Sequence, residues 1–198
     1  MTAKRLVIAI FAIGLASSPW LMIAGDTAVA QTNPGAGPAA SAPGAMAQPG
    51  LTKQDREFVE RAAQSGMAEI ELGKLAQKSA NPDVRRFADQ MIADHNRAAA
   101  RLTAIAQAKG IELPATLDID HRKLRDKLAT EHDGNFNRDY AHAMVVDHDQ
   151  AITLFEGEAD SGGDRQLQEF ARNTLPTLHE HRKMAGDLAA KLGSTAAR

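Results

Sequence analysis

The sequence contains no cysteine, which excludes disulfide bonds and a lipid anchor attached through a cysteine. Aromatic residues make up only 4% of the 198 residues, and the one tryptophan, Trp20, lies close to the N-terminus. Strand-type alternation of apolar and polar residues is also missing, whereas Ala, Leu, Lys, Arg, Glu and Gln are abundant. The composition therefore predicts an all-α protein whose stability comes from packing.

Neither sign of charge is in large excess, because the sequence has 23 basic and 25 acidic residues and a net charge of −2. The basic residues are scattered among acidic ones, as on a solvated helix face. A nucleic-acid partner would require a concentrated basic face, so no such partner is expected. The sequence also lacks the Gly-x-Ser-x-Gly turn of serine hydrolases, and we assign no catalytic residue and no firm cofactor.

The first thirty residues have the pattern of a secretory signal peptide. Lys4 and Arg5 precede an unbroken apolar run at residues 6–16, and Ala28-Val29-Ala30 provides the small-x-small motif that precedes a cleavage site. We therefore predict a signal peptide over residues 1–30 and a periplasmic or other cell-envelope location for the mature protein.

An uncleaved membrane anchor is the alternative for this segment, because apolar residues resume at 20–24. Ser17, Ser18 and Pro19 interrupt the apolar stretch, whereas a spanning helix needs about 20 continuous apolar residues. We favour cleavage, after which no spanning segment is expected. Residues 31–50 are rich in Pro, Gly and Ala and predict a flexible tether, which leaves 51–193 as one folded domain.

The folded part has the start and stop signals of four long helices. Thr52 and Asp55 resemble a capping box, and Asn81 followed by Pro82 is a strong helix start. Pro176 is expected to kink the last helix. The predicted helices span residues 52–79, 81–110, 135–160 and 164–192.

The connection between the second and third helices, residues 110–134, is too long for a simple turn. It contains a predicted short helix at residues 120–131 and is long enough to return along the whole bundle. This length favours a ferritin-like four-helix bundle with a long crossover between helices two and three.

Each long helix places one ionisable residue in its inward-facing stripe. The spacing of apolar residues by alternating steps of three and four defines these stripes. With the crossover topology, the four residues lie at similar heights, roughly 17, 22, 20 and 14 Å from one end of the bundle. In chain order they are Glu69, His95, His148 and His181.

Two aspartates immediately precede histidines of this set. The stretch from Phe87 to Asp94-His95 is echoed by the stretch from Tyr140 to Asp147-His148. Adjacent residues on a helix point about 100° apart, so Asp94 and Asp147 cannot face inward with their neighbouring histidines. We predict that they flank the cluster and accept ring N–H groups from histidines of other helices.

Two interpretations of the cluster remain open. Three imidazoles and one carboxylate can bind zinc, iron, copper or manganese, with Glu69, His95, His148 and His181 as ligands. Alternatively, the same residues satisfy one another as a buried hydrogen-bonded network. A carboxylate-bridged di-iron centre is not expected, because no Glu precedes any of the three histidines by three positions.

Several short motifs, in this order and spacing, resemble an exported bacterial family of unknown function, domain-of-unknown-function family 4142. The resemblance spans about residues 51–192 and implies a ferritin-like fold and an envelope location, without an activity. Its motifs are Phe58-Val59, Gly66-Met67-Ala68-Glu69, Leu72-Gly73, Phe87-Ala88 with Met91-Ile92 and Asp94-His95, Tyr140 with Asp147-His148, and Leu175-Pro176 with Leu178 and His181.

These observations predict a non-catalytic helical-bundle protein of the cell envelope with an interaction or stress-related role. An envelope protein is the candidate partner. The alternative is a metal-binding or oxidoreductase protein with a mid-bundle Glu/His site.

Overall fold

The computed structural model describes residues 50–196, with side chains to residue 193. The predicted signal peptide and all of the predicted tether except Gly50 lie outside the described residues. The described part contains five α-helices and no strand. They are α1 (Lys53–Ala76), α2 (Pro82–Ala108), α3 (Ile119–Ala129), α4 (Asp133–Ser161) and α5 (Arg165–Ala196).

The helix starts follow local capping chemistry. Thr52 and Asp55 form the predicted capping box of α1, and the side chain of Asn81 accepts from the backbone at the start of α2. Asp118 caps α3 in the same way. At the start of α5, Asp164 Oδ1 accepts hydrogen bonds from the backbone N–H groups of Gln166 and Leu167.

Several predicted helix ends differ from the structure, among them the end of α1, which lies at Ala76 rather than at residue 79. Helix α4 begins at Asp133, so Gly134 lies inside it, and Asp133 supplies the positive φ of 51° at its start. Helix α5 continues through Gly193 to Ala196. One glycine in a helix costs only about 1 kcal/mol relative to alanine, which the rest of a long helix offsets.

The four long helices form a bundle in which α1 packs against α2 and α4, and α5 packs against α2 and α4. We call α1–α2 and α4–α5 the two hairpins. One apolar layer joins the end of α1 to the starts of α2 and α4 and the end of α5. The other layer joins the opposite ends of the same helices. Helices α2 and α4 therefore run in the same direction, which confirms the predicted crossover, and the short α3 lies within that connection.

A buried aspartate ties the start of α1 to the α4–α5 loop. Asp55 Oδ1 accepts from the backbone N–H groups of Gly163 at 2.8 Å and Asp164 at 3.1 Å. Its Oδ2 accepts from the backbone and hydroxyl of Thr52 at 2.6 and 2.7 Å. Burial opposes ionisation of Asp55, but the hydrogen bonds from Thr52 and Asp164 lower its pKa.

Among the described helices, none is apolar over a length sufficient to cross a bilayer.

Candidate metal centre

The four inward polar residues meet in the middle of the bundle, between the two apolar layers. Glu69 comes from α1, His95 from α2, His148 from α4 and His181 from α5. All four side chains are buried. The three rings have centroid separations of 5.3 to 5.8 Å. The structure thus brings together all four residues that the helical stripes single out.

Glu69 and His95 form a direct pair. The Nδ1 atom of His95 donates to Glu69 Oε2 over 2.9 Å, and Glu69 Oε1 lies 3.4 Å from His148 Nδ1 without making a hydrogen bond. Burial alone would raise the pKa of Glu69. The charges of His95 and His148 and the hydrogen bond from His95 outweigh burial and lower this pKa to about 2. Glu69 is therefore a buried, ionised carboxylate.

The other two rings are also oriented by acceptors. His148 Nδ1 donates to the backbone carbonyl of Met144 over 2.8 Å. His181 Nε2 donates to Asp94 Oδ2 over 2.8 Å, a contact that joins α5 to α2. A neutral imidazole that donates through one nitrogen keeps a lone pair on the other. Each of the three rings therefore has one nitrogen fixed as a donor.

The remaining ring nitrogens have no hydrogen-bond partner among the described residues. They are His95 Nε2, His148 Nε2 and His181 Nδ1, and all three are buried. One ring nitrogen from each histidine lies within 4.8 Å of one from each of the others. Three buried ring nitrogens without partners among the described residues, each on a ring held by an acceptor on its other side, have the donor chemistry of a metal centre when the rings are neutral.

The electrostatics of the cluster favour a neutral ring at His181. Burial lowers the pKa of His181, and the charges of His95 and His148 lower it further, to about 4. A neutral ring retains the lone pair that a metal ion requires.

The two flanking aspartates differ in what they contact. Asp94 accepts from His181 and also pairs with Arg97 and Gln90. Asp147 makes no hydrogen bond to any of the three rings, and its Oδ2 is buried without a partner among the described residues. Burial, and then the charge of Glu69, raise the pKa of Asp147 to about 6. Only Asp94 thus lies in the position that the sequence predicts for both.

A comparison with protein-family models identifies the family of the chain. The family model "Domain of unknown function (DUF4142)" matches residues 40–188, about three quarters of the chain. The chain belongs to the DUF4142 family. This agrees with the resemblance of its short motifs. No curated protein matches the chain at a significant level.

A solved structure resembles this DUF4142 chain in fold. It is the crystal structure of a DUF305 fragment from Deinococcus radiodurans, with a TM-score of 0.63 and 18% sequence identity. The match covers 72% of the DUF4142 chain and 99% of the fragment. At this identity the likeness establishes the fold, a helical bundle of the ferritin-like type.

The sequence did not disclose every partner of the cluster. The backbone carbonyl of Met144 orients His148, and no residue type signals that role. Sequence reasoning also missed a buried carboxyl pair at one end of the DUF4142 bundle, formed by Asp55 and Glu158. The only signal available for the pair was that Asp55 belongs to the capping box of α1.

Proposed function

We propose that this protein binds one transition-metal ion through His95, His148 and His181. The observation that carries the proposal is the set of three buried ring nitrogens that have no hydrogen-bond partner in the described part of the chain. A buried polar atom without a partner costs about 1–3 kcal/mol, and one metal ion would satisfy all three nitrogens at once. Glu69 and Asp94 orient two of the rings, as carboxylates commonly do for metal-bound histidines.

The donor set favours zinc, copper or iron over manganese, because imidazole suits the first three metals and carboxylate suits manganese. Metal–nitrogen bonds to histidine are about 2.0–2.1 Å long, so tetrahedral binding brings the nitrogens to about 3.4 Å from one another. One ring nitrogen of each histidine lies within 4.8 Å of those of the other two, so the rings would move closer together on binding. Glu69 Oε1, which has no hydrogen bond to any of the described residues, is a candidate fourth ligand.

We propose a non-catalytic role, in which the protein holds metal in the cell envelope. Export is supported by the basic start, apolar run and small-x-small motif of residues 1–30.

Elemental analysis of the mature protein, purified without a polyhistidine tag, tests metal binding. We expect about one equivalent of zinc, copper or iron in the wild type and less than about a tenth of that in His148→Ala, which loses one of three ligands. His142→Ala is the matched control, because His142 lies on the same helix and is exposed. Wild-type protein that contains no metal and shows no thermal shift with any of these metals would instead support the hydrogen-bonded network.

The N-terminus of the protein recovered from its native cells tests export. We expect mass spectrometry to find Gln31 as the first residue and fractionation to place the protein outside the cytoplasm. An intact N-terminus in the cytoplasmic fraction would contradict the proposed location.

A further inference from the structure

A cavity of about 240 Å³ lies beside the candidate metal centre and is lined chiefly by α1 and α2. Small residues from both helices contribute to its wall, among them Ala63, Gly66, Ala98 and Ala99. These four residues are partly exposed, so the cavity reaches the surface between the two helices. A Cβ atom at Gly66 would have no other atom within 4 Å. The cavity therefore exists because small side chains occupy this part of the α1–α2 interface.

The inner end of the cavity is formed by two residues of the cluster, Glu69 and His95. The rest of the lining is mainly apolar and includes Phe155, Phe170 and Leu178, with the hydroxyl residues Ser65, Thr103 and Thr174 among it. A molecule that enters between α1 and α2 would therefore lie with one end against the Glu69–His95 pair.

The lining defines the chemistry of a ligand. An engineered apolar cavity of about 150 Å³ binds benzene, so a cavity of this kind accommodates a molecule with one six-membered ring. Glu69 is the only Asp, Glu, Lys or Arg side chain among the described residues that line it, so the cavity offers no basic side chain to pair with an anionic ligand. In the metal-free protein Glu69 lines the cavity and its Oε1 has no hydrogen-bond partner among the described residues, so a ligand hydroxyl can donate to it.

We propose that this cavity binds a small uncharged alcohol or phenol, with its apolar body between α1 and α2 and its hydroxyl against Glu69 and His95. The inference names a ligand class for the proposed metal centre and rests on the proposed function only for the link to the metal. Binding in the cavity itself requires no metal ion.

The test uses 4-methylphenol as the probe and follows binding to the chelator-treated protein by NMR titration. We expect saturable binding with a Kd of about 1 mM or tighter. Gly66→Leu places a side chain in the cavity and is expected to weaken binding at least about tenfold. Gly157→Leu is the matched control, because Gly157 is also a helical glycine with no atom near its missing Cβ and does not line the cavity.

Two further measurements separate the cavity from the metal centre. Ala99→Leu, on the α2 wall, is expected to weaken 4-methylphenol binding as Gly66→Leu does, which guards against one variant that folds poorly. His148→Ala is expected to lose zinc and still bind 4-methylphenol, because His148 does not line the cavity. Toluene is expected to bind at least about tenfold more weakly than 4-methylphenol, because it offers no hydroxyl to Glu69.

Absence of saturable binding by the wild type, or equal binding by Gly66→Leu and the wild type, would overturn the inference. Equal affinity for toluene and 4-methylphenol would overturn the assigned position of the hydroxyl. If the wild type binds 4-methylphenol and no metal, the cavity inference stands and the proposed function fails. If the wild type binds zinc and no 4-methylphenol, the proposed function stands and the cavity inference fails.

Discussion

Glu69→Ala is expected to lower the free energy of unfolding of the chelator-treated protein by about 3 kcal/mol. The substitution removes the acceptor for His95 Nδ1, so a buried N–H group loses its partner. It also leaves a void between the two apolar layers, where neighbouring helices cannot close fully. Urea denaturation followed by circular dichroism at 222 nm measures the change.

Glu60→Ala is the control for this experiment, because Glu60 lies on the same helix and is exposed. We expect Glu60→Ala to change stability by no more than about 0.5 kcal/mol. Glu69→Gln keeps the volume and one acceptor oxygen, so its loss is expected to fall between the two. Equal stability of Glu69→Ala and Glu60→Ala would show that the Glu69–His95 hydrogen bond contributes nothing to the fold.

The second large effect is a change of stability with pH that depends on the carboxyl pair at the start of α1, Asp55 and Glu158. Glu158 is buried beside Asp55, and neither of its carboxyl oxygens has a hydrogen-bond partner among the described residues. Its carboxyl lies over Gly162, where a Cβ atom would come within 2.5 Å of Oε1. Burial raises the pKa of Glu158 from 4.5 to about 7, and the charge of the neighbouring Asp55 carboxylate contributes to the rise.

Because this pKa is higher in the folded protein, folding favours the protonated carboxyl. The stabilisation is complete below about pH 4.5 and is lost as the pH rises through about 7. The shift corresponds to roughly 3 kcal/mol. We therefore expect Glu158→Gln, whose amide cannot ionise, to be more stable than the wild type at pH 8 by up to that amount. At pH 4.5 the two are expected to have similar stability.

Urea unfolding at several pH values between 4.5 and 8 checks this expectation, with Glu156→Gln as the exposed control on the same helix. The control is expected to follow the wild-type pH dependence. If Glu158→Gln also follows it, Glu158 ionises in the folded protein as readily as in the unfolded chain.

The sequence predicted the architecture because long helices carry strong periodic signals. The inward stripes depend only on the angle between successive residues, and the similar heights of Glu69, His95, His148 and His181 depend only on the helical rise. The long connection excluded a short turn, and the structure confirms the crossover. The donor and acceptor roles of the ring nitrogens were beyond the sequence, because they depend on side-chain rotation and on partners from other helices.

Asp94 and Asp147 illustrate that limit. Both precede a core histidine in the same local motif, yet their surroundings differ. The side of α2 that carries Asp94 faces α5, where His181 donates to it. Asp147 instead lies near His121 and Asp118, at the crossover segment that packs beside α4. The local sequence repeats, but the crossover segment that contains α3 lies beside Asp147 and not beside Asp94.

Two of the polar contacts in the cluster cross between the hairpins. His181 of the second hairpin donates to Asp94 of the first at 2.8 Å, and His148 faces Glu69 at 3.4 Å. Displacing one hairpin along the other by a single turn, about 5.4 Å, would break both contacts and leave buried charges alone. Leucine and alanine layers tolerate such a displacement far better, since one apolar side chain can replace another. The polar cluster therefore sets the axial register of the two hairpins, whatever it binds.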